Sequence, residues 1–533
     1  MNISIKNKII LITAIVILAA ASIGLRIFYM LNTPVHVDEA SLGYESYSLI
    51  QTGADRFGNK WPVHFYNFGW GQNATLSYIL IPIIKIFGLN IIAIRLTVFA
   101  INLLAVFMTY LLGKELFNKK IGFLAGFLLL ISPWDIYLSS TAFNPCLLPF
   151  LYTANFYFLI KFFKENKGKY LFYAAILSAI SLYTYALSFF WIPLSYLLIL
   201  FIYKEKINSR KKIIALNSLV FLILSFPIII FYLKNQFDIS QISNLWFFSL
   251  PSLETTRFNM LSSYNWGGPT LFFFNFILQY FFHVSIIPFS LMMTGYYDLL
   301  TVGGIYFFEI IIIFFGIFTI IKERLIKTNY NFLLGALLLA PIPASFLLFD
   351  IYNNTIIHPL RSITLLPFIQ ILGAIGFYSI FEKNYRGKKL QHIMIIAVIL
   401  NFIFVSSYFY LNYSRDGRLK QREKIIRFIK ENEYKYNKII IIDYLNIDLN
   451  YIYLLFNLKI NPTEAQKADL KPYKESDISL GKYIFANSKN YHFDEGKILY
   501  IKEKDENEEE IDIIKEFSEN KKIILFESNN QKK

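Results

Sequence analysis

The sequence contains little that could build a disulfide framework or a nucleotide site. Cys146 is its one cysteine in 533 residues, which excludes an intramolecular disulfide and a cysteine-based zinc cluster. It has no Asp-x-Asp pair, no Gly-x-Gly-x-x-Gly motif and no phosphate-binding P-loop, so neither a metal-dependent nucleotide-sugar site nor a common nucleotide fold is expected. Charged residues make up only 17% of the chain, whereas 55% is hydrophobic and 18% aromatic. A soluble protein does not need so much apolar surface.

Long apolar stretches instead predict a polytopic membrane protein. They recur from the N-terminus to about residue 412, and each is long enough to span a bilayer. The net charge of +15 resides almost entirely in this part, because residues 413–533 hold 23 basic and 22 acidic residues. The basic excess lies mainly in short loops between apolar stretches, as the positive-inside rule expects. The charge therefore indicates membrane topology, and we expect no nucleic-acid partner.

The basic loops predict the path of the chain through the membrane. Placing them all on the cytoplasmic side, with a cytoplasmic N-terminus and an outer tail, gives eleven spans: 9–30, 90–112, 121–140, 146–163, 170–187, 189–203, 213–233, 303–321, 331–349, 358–381 and 391–411. The first span follows two lysines and has no cleavage site after it, so we expect a retained anchor. Residues 270–293 are also apolar, but a span there would invert every later loop. We expect them to lie on the outer surface or to re-enter the membrane.

The outer segments have a different composition. Residues 38–52 and 73–88 have the mixed polarity of helices that lie in the membrane interface. In the tail, an amphipathic helix pattern over 417–433 precedes short apolar runs that are typical of buried strands. These runs are 438–443, 483–486, 498–501 and 522–526. The predicted fold class is mainly α: a transmembrane domain of about eleven helices (1–412) with interfacial helices in its first outer loop, followed by a small extracytoplasmic α/β domain (413–533).

Two adjacent acids just beyond the first span are the first candidates for chemistry. Asp38 and Glu39 lie at the expected membrane edge, where partial desolvation and mutual repulsion disfavour two negative charges. Such a carboxylate can take the proton from a hydroxyl that attacks an electrophilic carbon, while its neighbour orients it or holds a divalent cation. The alternative is a helix N-terminus, where acidic residues interact favourably with the macrodipole.

Aromatic and polar residues follow this pair in the first outer loop and recur in the second. Aromatic faces with hydrogen-bonding side chains suit a sugar, although tryptophan and tyrosine also form interfacial belts in any polytopic protein. An acid in the second loop could orient a substrate hydroxyl or merely cap a helix. The candidate substrate-binding residues are Tyr44, Asp55, Trp61, Trp70 and Asp135.

Basic residues near the outer ends of two spans are candidates for binding an anion. Arg361 has no carboxylate at helical spacing within its span, so it must either extend to the interface or bind an anion such as phosphate. His358 lies about one turn away and could donate a second hydrogen bond. Arg95, slightly inside the second span, presents the same two alternatives.

Several stretches resemble recurrent segments of GT-C glycosyltransferases. The Asp38-Glu39 loop, Ser132-Pro133-Trp134, the Leu182–Tyr185 stretch, Pro341–Ala344 and His358–Arg361 occur in an order similar to that of the protein O-mannosyltransferase and aminoarabinose-transferase group, glycosyltransferase family 39. The likeness covers roughly residues 1–412, and the tail is only generically similar.

The resemblance implies an inverting sugar transfer from a polyprenyl-phosphate donor, with Asp38 as the base. Two positions depart from the family pattern. Relatives often carry an acidic-basic pair where this chain has Gln72-Asn73, and several carry an arginine and a glutamate where Ser140 and Asn144 stand. The second acidic role then falls to Asp135 or is missing.

The sequence therefore predicts a multi-pass glycosyltransferase of the cell membrane that acts on a protein, lipid or glycan acceptor. The absence of nucleotide motifs agrees with a donor delivered by the bilayer. A transporter or flippase of a lipid-linked glycan is the rival, and it predicts charges buried midway through several spans. A structural protein whose tail binds a wall component is a third reading, but it leaves Asp38 and Glu39 unexplained.

Overall fold

The computed structural model of the chain describes residues 5–67, 71–239, 241–254, 273, 277, 307–323, 328–345, 360–382, 387–412, 417–442, 451–468, 470, 477–486, 497–503, 513–517 and 523–529. These residues divide into two compact units. The first consists of Met1–Asn32, Arg95–Tyr232 and Arg257–Tyr413, and the second of Thr33–Ile94, Leu233–Thr256 and Ser414–Lys533.

Helices account for most of the described chain. In chain order they are Ile5–Asn32, Val37–Thr52, Thr75–Phe87, Ile91–Leu116, Lys119–Ile131, Pro133–Ser140, Leu148–Glu165, Gly168–Thr184, Ser188–Ile202, Lys204–Ile207, Lys211–Gln236, Phe307–Glu323, Thr328–Leu339, Ile342–Ser345, Phe368–Glu382, Gly387–Asn412, Gly417–Asn432, Tyr451–Leu458 and Pro462–Lys467. Short 3₁₀ turns cover Asn144–Leu147, Asn208–Arg210, Ile363–Leu365 and Glu433–Lys435.

Several of these helices have the length and composition of membrane spans. Within the described residues, four helices pass both requirements, and a fifth span results if one bent pair is counted as a single crossing. All eleven predicted spans overlap at least one helix, but the number of crossings stays a prediction. Residues 270–293 lie outside the described residues, apart from 273 and 277.

The bent pair occupies the third predicted span. Lys119–Ile131 and Pro133–Ser140 meet at an angle of 60°. Pro133 stands at the first turn of the second helix, where a proline is tolerated because its missing N–H would have no intrahelical partner. The sequence Ser132-Pro133 therefore ends one helix and starts the next in a new direction.

Two helices of the first unit approach closely through glycines. A Cβ built on Gly376 of Phe368–Glu382 would lie 1.7 Å from the carbonyl oxygen of Ile312, and one on Gly316 of Phe307–Glu323 would lie 2.3 Å from that of Leu372. Because only hydrogen fits at these points, the two backbones pack together as small residues allow in membrane helix pairs.

The second unit combines interfacial-type helices with strands. Its short strands are β1 (His64–Phe65), paired with β2 (Gln72–Asn73), and β3 (Asn244–Leu245), paired with β4 (Phe248–Ser249). The tail contributes β5 (Lys438–Ile442), β6 (Ile478–Leu480), β7 (Tyr483–Ala486), β8 (Lys497–Glu503), β9 (Ile513–Phe517) and β10 (Ile523–Asn529). They form one mixed sheet in the order β6-β7-β5-β8-β10-β9.

The centre of this sheet follows from its sequence. β5 pairs in parallel with both β7 and β8, and its four isoleucines, Ile439–Ile442, are all buried. An uninterrupted apolar run is what a strand covered on both faces requires. The helix Gly417–Asn432 and the strands β5, β7, β8 and β10 occur where the sequence predicted them, whereas β6 and β9 were not predicted. The extracytoplasmic position of the tail stays a prediction.

Candidate functional site

The predicted acidic pair lies at the start of the helix Val37–Thr52, in the second unit. His36 is the N-cap: its Nδ1 accepts a hydrogen bond from the Asp38 amide at 3.1 Å, and its own amide donates to Oε2 of Glu39 at 3.0 Å. These reciprocal bonds form a capping box, which satisfies two amides that the first helical turn leaves without partners. Glu39 is fully buried, so its carboxylate fixes the start of the helix.

Asp38 differs from its neighbour in exposure. Its side chain is 40% accessible, and its carboxylate lies 3.8 Å from Nδ1 of His36. The helix therefore presents the Asp38 carboxylate at its first turn, on a backbone that the capping box holds.

A buried ion pair lies further along the same helix. Glu45 and Arg56 are both fully buried, and Nη1 of Arg56 lies 2.8 Å from Oε1 of Glu45. The Arg56 amide also donates to Oε2 of Glu45 at 3.0 Å. The guanidinium lies over the rings of Phe57 and Tyr451, at 4.9 and 5.9 Å from their centroids, which is close enough for cation–π attraction.

Polar side chains connect this pair to the acidic helix start. Arg56 donates to Ser41 Oγ at 2.8 Å and to Asn67 Oδ1 at 2.6 Å. Ser41 donates to Gln72 Oε1 at 2.7 Å, and the amide nitrogen of Gln72 lies 3.4 Å from the Asp38 carbonyl. The network occupies one face of the helix, because positions 38, 41 and 45 are three and seven residues apart.

Burial shifts the protonation equilibria of this network. It raises the pKa of the Glu45 carboxyl to about 8, against the opposing attraction of Arg56. Burial alone would lower the pKa of Arg56, but Tyr451, Glu45 and Asp55 together raise it. Arg56 is therefore a fixed positive charge, and Glu45 is the group that can change its charge near neutral pH.

The other predicted residues of this unit have local bonding partners. Asp55 is buried and accepts three hydrogen bonds, from the amides of Phe57 and Asn59 and from the Asn59 side chain. Tyr44 is buried and donates to the Ile460 carbonyl at 2.8 Å. Trp61 is 40% exposed and stacks on Tyr78, with 6.3 Å between ring centroids. Of the two described aromatic residues, Trp61 is therefore accessible and Tyr44 is not. Trp70 lies outside the described residues.

In the first unit, Asp135 forms a buried ion pair. Its Oδ2 lies 2.6 Å from Nη2 of Arg26, and both side chains are 1% exposed. Nε of Arg26 also donates to Ser139 Oγ at 2.7 Å, whereas Oδ1 of Asp135 has no hydrogen-bond partner within the described residues. The pair joins the helix Ile5–Asn32 to the helix that follows the Ser132-Pro133 bend.

The predicted anion-binding residues of this unit differ in accessibility. Arg95 is 1% exposed and donates to the Met30 carbonyl at 2.9 Å. Arg361 is half-buried, in the turn before Ile363–Leu365. His358 lies outside the described residues.

Three residues of these ion pairs were not singled out from the sequence: Arg26, Glu45 and Arg56. A signal for Arg26 existed, because a lone arginine inside a 28-residue apolar helix requires a partner. Among the described residues, no three histidine, cysteine or acidic side chains converge as a metal site.

Comparison with known proteins supports the resemblance noted in the sequence. Residues 74–231 match the family model of dolichyl-phosphate-mannose-protein mannosyltransferases. This segment is under a third of the chain, and it contains Arg95, Asp135 and the Ser132-Pro133 bend. A search of curated proteins gives no significant match.

Solved structures of GT-C enzymes resemble the fold at low sequence identity. The oligosaccharyltransferase of Archaeoglobus fulgidus, in complex with Zn and sulfate, matches with a TM-score of 0.51 and 15% identity over 82% of this chain and 61% of that one. AglB from the same organism gives 0.48 and 15% over 84% and 64%. ArnT from Cupriavidus metallidurans in the apo state gives 0.47 and 15% over 78% and 71%. The chain thus spans less than two thirds of the length of both Archaeoglobus proteins.

The family match and the fold agree with the resemblance noted in the sequence and with a chain rich in apolar helices. Residues 74–231 are thus similar to the dolichyl-phosphate-mannose-protein mannosyltransferases, and the fold is similar to that of the Archaeoglobus fulgidus oligosaccharyltransferase.

Proposed function

We propose that the protein transfers a sugar from a polyprenyl-phosphate donor to an acceptor hydroxyl on the extracytoplasmic side, with inversion. The acceptor oxygen forms a bond to the anomeric carbon as the bond from that carbon to the phosphate oxygen breaks. The hydroxyl proton passes to the enzyme, and polyprenyl phosphate leaves with the bonding electrons. The name of the matched family, which specifies a lipid-phosphate sugar donor, supports this donor class, as does the lack of nucleotide motifs.

The exposed carboxylate of Asp38 is the observation that carries the proposal. In the same loop, Glu39 caps a helix, Glu45 pairs with Arg56, and Asp55 holds a turn. Asp38 alone among these four acids is substantially exposed, so it can approach a substrate hydroxyl. We assign it as the general base, with Glu39 as the residue that positions its backbone.

We assign recognition of the donor phosphate to Arg361 and recognition of the donor sugar to the tryptophans of the first loop. Arg361 is half-buried, so its planar guanidinium can bind a phosphate with two parallel hydrogen bonds, and His358 is proposed to assist it. Arg95 is bonded to a backbone carbonyl and would serve by shaping the first unit. Trp61 and Trp70 are proposed to line the sugar site.

The test is transfer of a radiolabelled hexose from polyprenyl phosphate by the purified full-length protein to membrane acceptors. Asp38→Asn should lower the rate roughly 10²- to 10⁴-fold, the usual contribution of a general base, while donor binding is retained. Asp238→Asn is the matched control. Asp238 is an exposed acid with φ of 50°, a conformation that asparagine tolerates, so transfer should be unchanged.

Parent-like transfer by Asp38→Asn would show that another group takes the proton. Unchanged donor binding by Arg361→Ala would remove the phosphate role of that arginine. Movement of a labelled lipid glycan across vesicles without cleavage of its phosphate bond would favour a flippase and overturn the proposed function.

A further inference from the structure

An apolar cavity of about 310 Å³ lies among four helices of the first unit. Its walls come from the C-terminal part of Leu148–Glu165, from most of the length of Ser188–Ile202, and from the N-terminal parts of Gly168–Thr184 and Lys211–Gln236. The cavity therefore adjoins the helix ends that border the loops 161–169 and 204–212. The volume is at the lower limit of roughly 300–1,000 Å³ for small-molecule sites, and the lining is almost wholly hydrophobic.

Two cations, Arg210 and Lys206, contact residues that line this cavity. Phe162 and Phe163 form part of its wall, and the guanidinium of Arg210 lies 5.3 and 5.6 Å from their ring centroids. Nη1 of Arg210 donates to both backbone carbonyls, at 3.1 and 3.0 Å. Lys206 donates to the Phe163 carbonyl at 3.2 Å. The apolar cavity is thus bordered by fixed positive charge.

Among the described residues, no acid neutralises the charge of Lys206 or Arg210. Residues 204–212 contain five basic residues and one acid, Glu205. In the adjacent basic loop, Lys161 and Lys167 pair with Glu165, and Lys164 pairs with Glu115. Within the described part of the chain, no carboxylate lies at ion-pair distance from Lys206 or Arg210. The segment 204–212 therefore retains an attraction for an external anion.

We propose that this cavity binds one acyl chain of an anionic glycerophospholipid, with the lipid phosphate at Arg210 and Lys206. An apolar chamber that ends at unneutralised cations matches a lipid whose chain is apolar and whose headgroup is anionic. The short loops 161–169 and 204–212 are of the kind that the positive-inside rule assigns to the cytoplasmic leaflet, where anionic phospholipids attract basic segments. The donor phosphate, in contrast, is proposed to bind at outer loops, so the two lipids occupy separate places.

The test measures which lipids remain bound to the full-length protein. The protein is reconstituted with equal amounts of phosphatidylglycerol and phosphatidylcholine of the same acyl chains, extracted into detergent and analysed by native mass spectrometry. The parent should retain phosphatidylglycerol preferentially. In the double variant Lys206→Gln/Arg210→Gln the preference should fall roughly fivefold for each charge removed, the usual effect of a basic residue at an anionic surface. Lys119→Gln, which removes an exposed lysine from another basic loop, should leave it unchanged.

A second variant tests the cavity independently of charge. Ser218 lies on the cavity wall and is exposed, so Ser218→Phe should fill the chamber and reduce retention of phosphatidylglycerol while thermal unfolding stays near that of the parent. Equal retention of both phospholipids by the parent would overturn the proposal. So would undiminished retention by Ser218→Phe, or displacement of phosphatidylglycerol by an equal amount of polyprenyl phosphate.

Discussion

Exposure distinguishes Asp38 from the three other acids of residues 33–94. Glu39, Glu45 and Asp55 are each fully buried and bonded to nearby chain, and a buried charge without such partners would cost several kcal/mol. Asp38 reaches solvent from the same helix. The buried acids thus hold the surface on which the exposed acid lies.

The raised pKa of Glu45 predicts a pH-dependent stability. A folded-state pKa of about 8, above the ordinary value for a glutamate, means that the folded chain binds this proton more tightly than the unfolded chain. This contribution is complete below pH 4.5 and is lost as the pH rises through about 8. Thermal unfolding between pH 5 and 9 should therefore show a decline in the parent that is smaller in Glu45→Gln. Glu431→Gln, at an exposed position, should behave as the parent does, and identical pH profiles for all three proteins would contradict the shift.

The Arg26–Asp135 pair predicts strong coupling between two distant positions. Arg26→Met should destabilise the fold by about 3–5 kcal/mol, because it leaves Asp135 buried without its cation. The double variant Arg26→Met/Asp135→Leu should recover most of this loss, since no charge then remains in the apolar surroundings. A double-mutant cycle measures this coupling: thermal unfolding is compared for the parent, Arg26→Met, Asp135→Leu and the double variant. Additive effects would show that the two side chains do not stabilise each other.

The sequence could indicate the candidate base but not the surrounding network. Asp38 and Glu39 are notable because two acids adjoin each other next to an apolar stretch, which is visible in the sequence alone. Glu45 and Arg56 are eleven residues apart, so their pairing depends on the turn between them, which local periodicity does not specify. Likewise, nothing in the sequence reveals that Gln72, where relatives often carry a charged residue, bonds to Ser41.

At the scale of helices and strands, the hydropathy pattern predicted where helices occur along the chain. It did not predict where a helix bends. The apolar stretch 121–140 was predicted as one span, and the structure divides it at Ser132-Pro133 with a bend of 60°. Tail strands such as β5 and β7 were predictable because short runs of β-branched and aromatic residues are bounded by polar ones. Strand order was not, since the parallel pairing of β5 with β8 joins residues some sixty positions apart.

The close helix pair gives a prediction at this scale. Gly376→Ala should destabilise the first unit by about 1–3 kcal/mol, because the new methyl group overlaps the Ile312 carbonyl and forces the helices apart. Gly24→Ala is the matched control: it lies in another apolar helix, and a Cβ there would meet nothing within 4 Å. Thermal unfolding in one detergent compares the two. Equal stability of both variants would mean that the helices separate at no measurable cost.

At the scale of the whole molecule, the second unit is assembled from three distant parts of the chain: 33–94, 233–256 and 414–533. Contacts between the first and last of these parts are specific. The Tyr44 hydroxyl donates to the Ile460 carbonyl, Arg422 to the Val35 carbonyl at 2.7 Å, and Gln466 to the Asp55 carbonyl at 2.9 Å. The helix that carries Asp38 and its flanking residues are therefore held by residues about four hundred positions further along the chain.

This arrangement has a consequence for biogenesis. When residues 33–94 have been synthesised, the residues of segment 414–533 that contact them have not. The second unit can therefore be completed only after segment 414–533 has been made. A chain interrupted before residue 414 would thus carry every candidate site residue and still lack the contacts that hold the helix of Asp38. We therefore expect such a chain to be unable to carry out the proposed transfer.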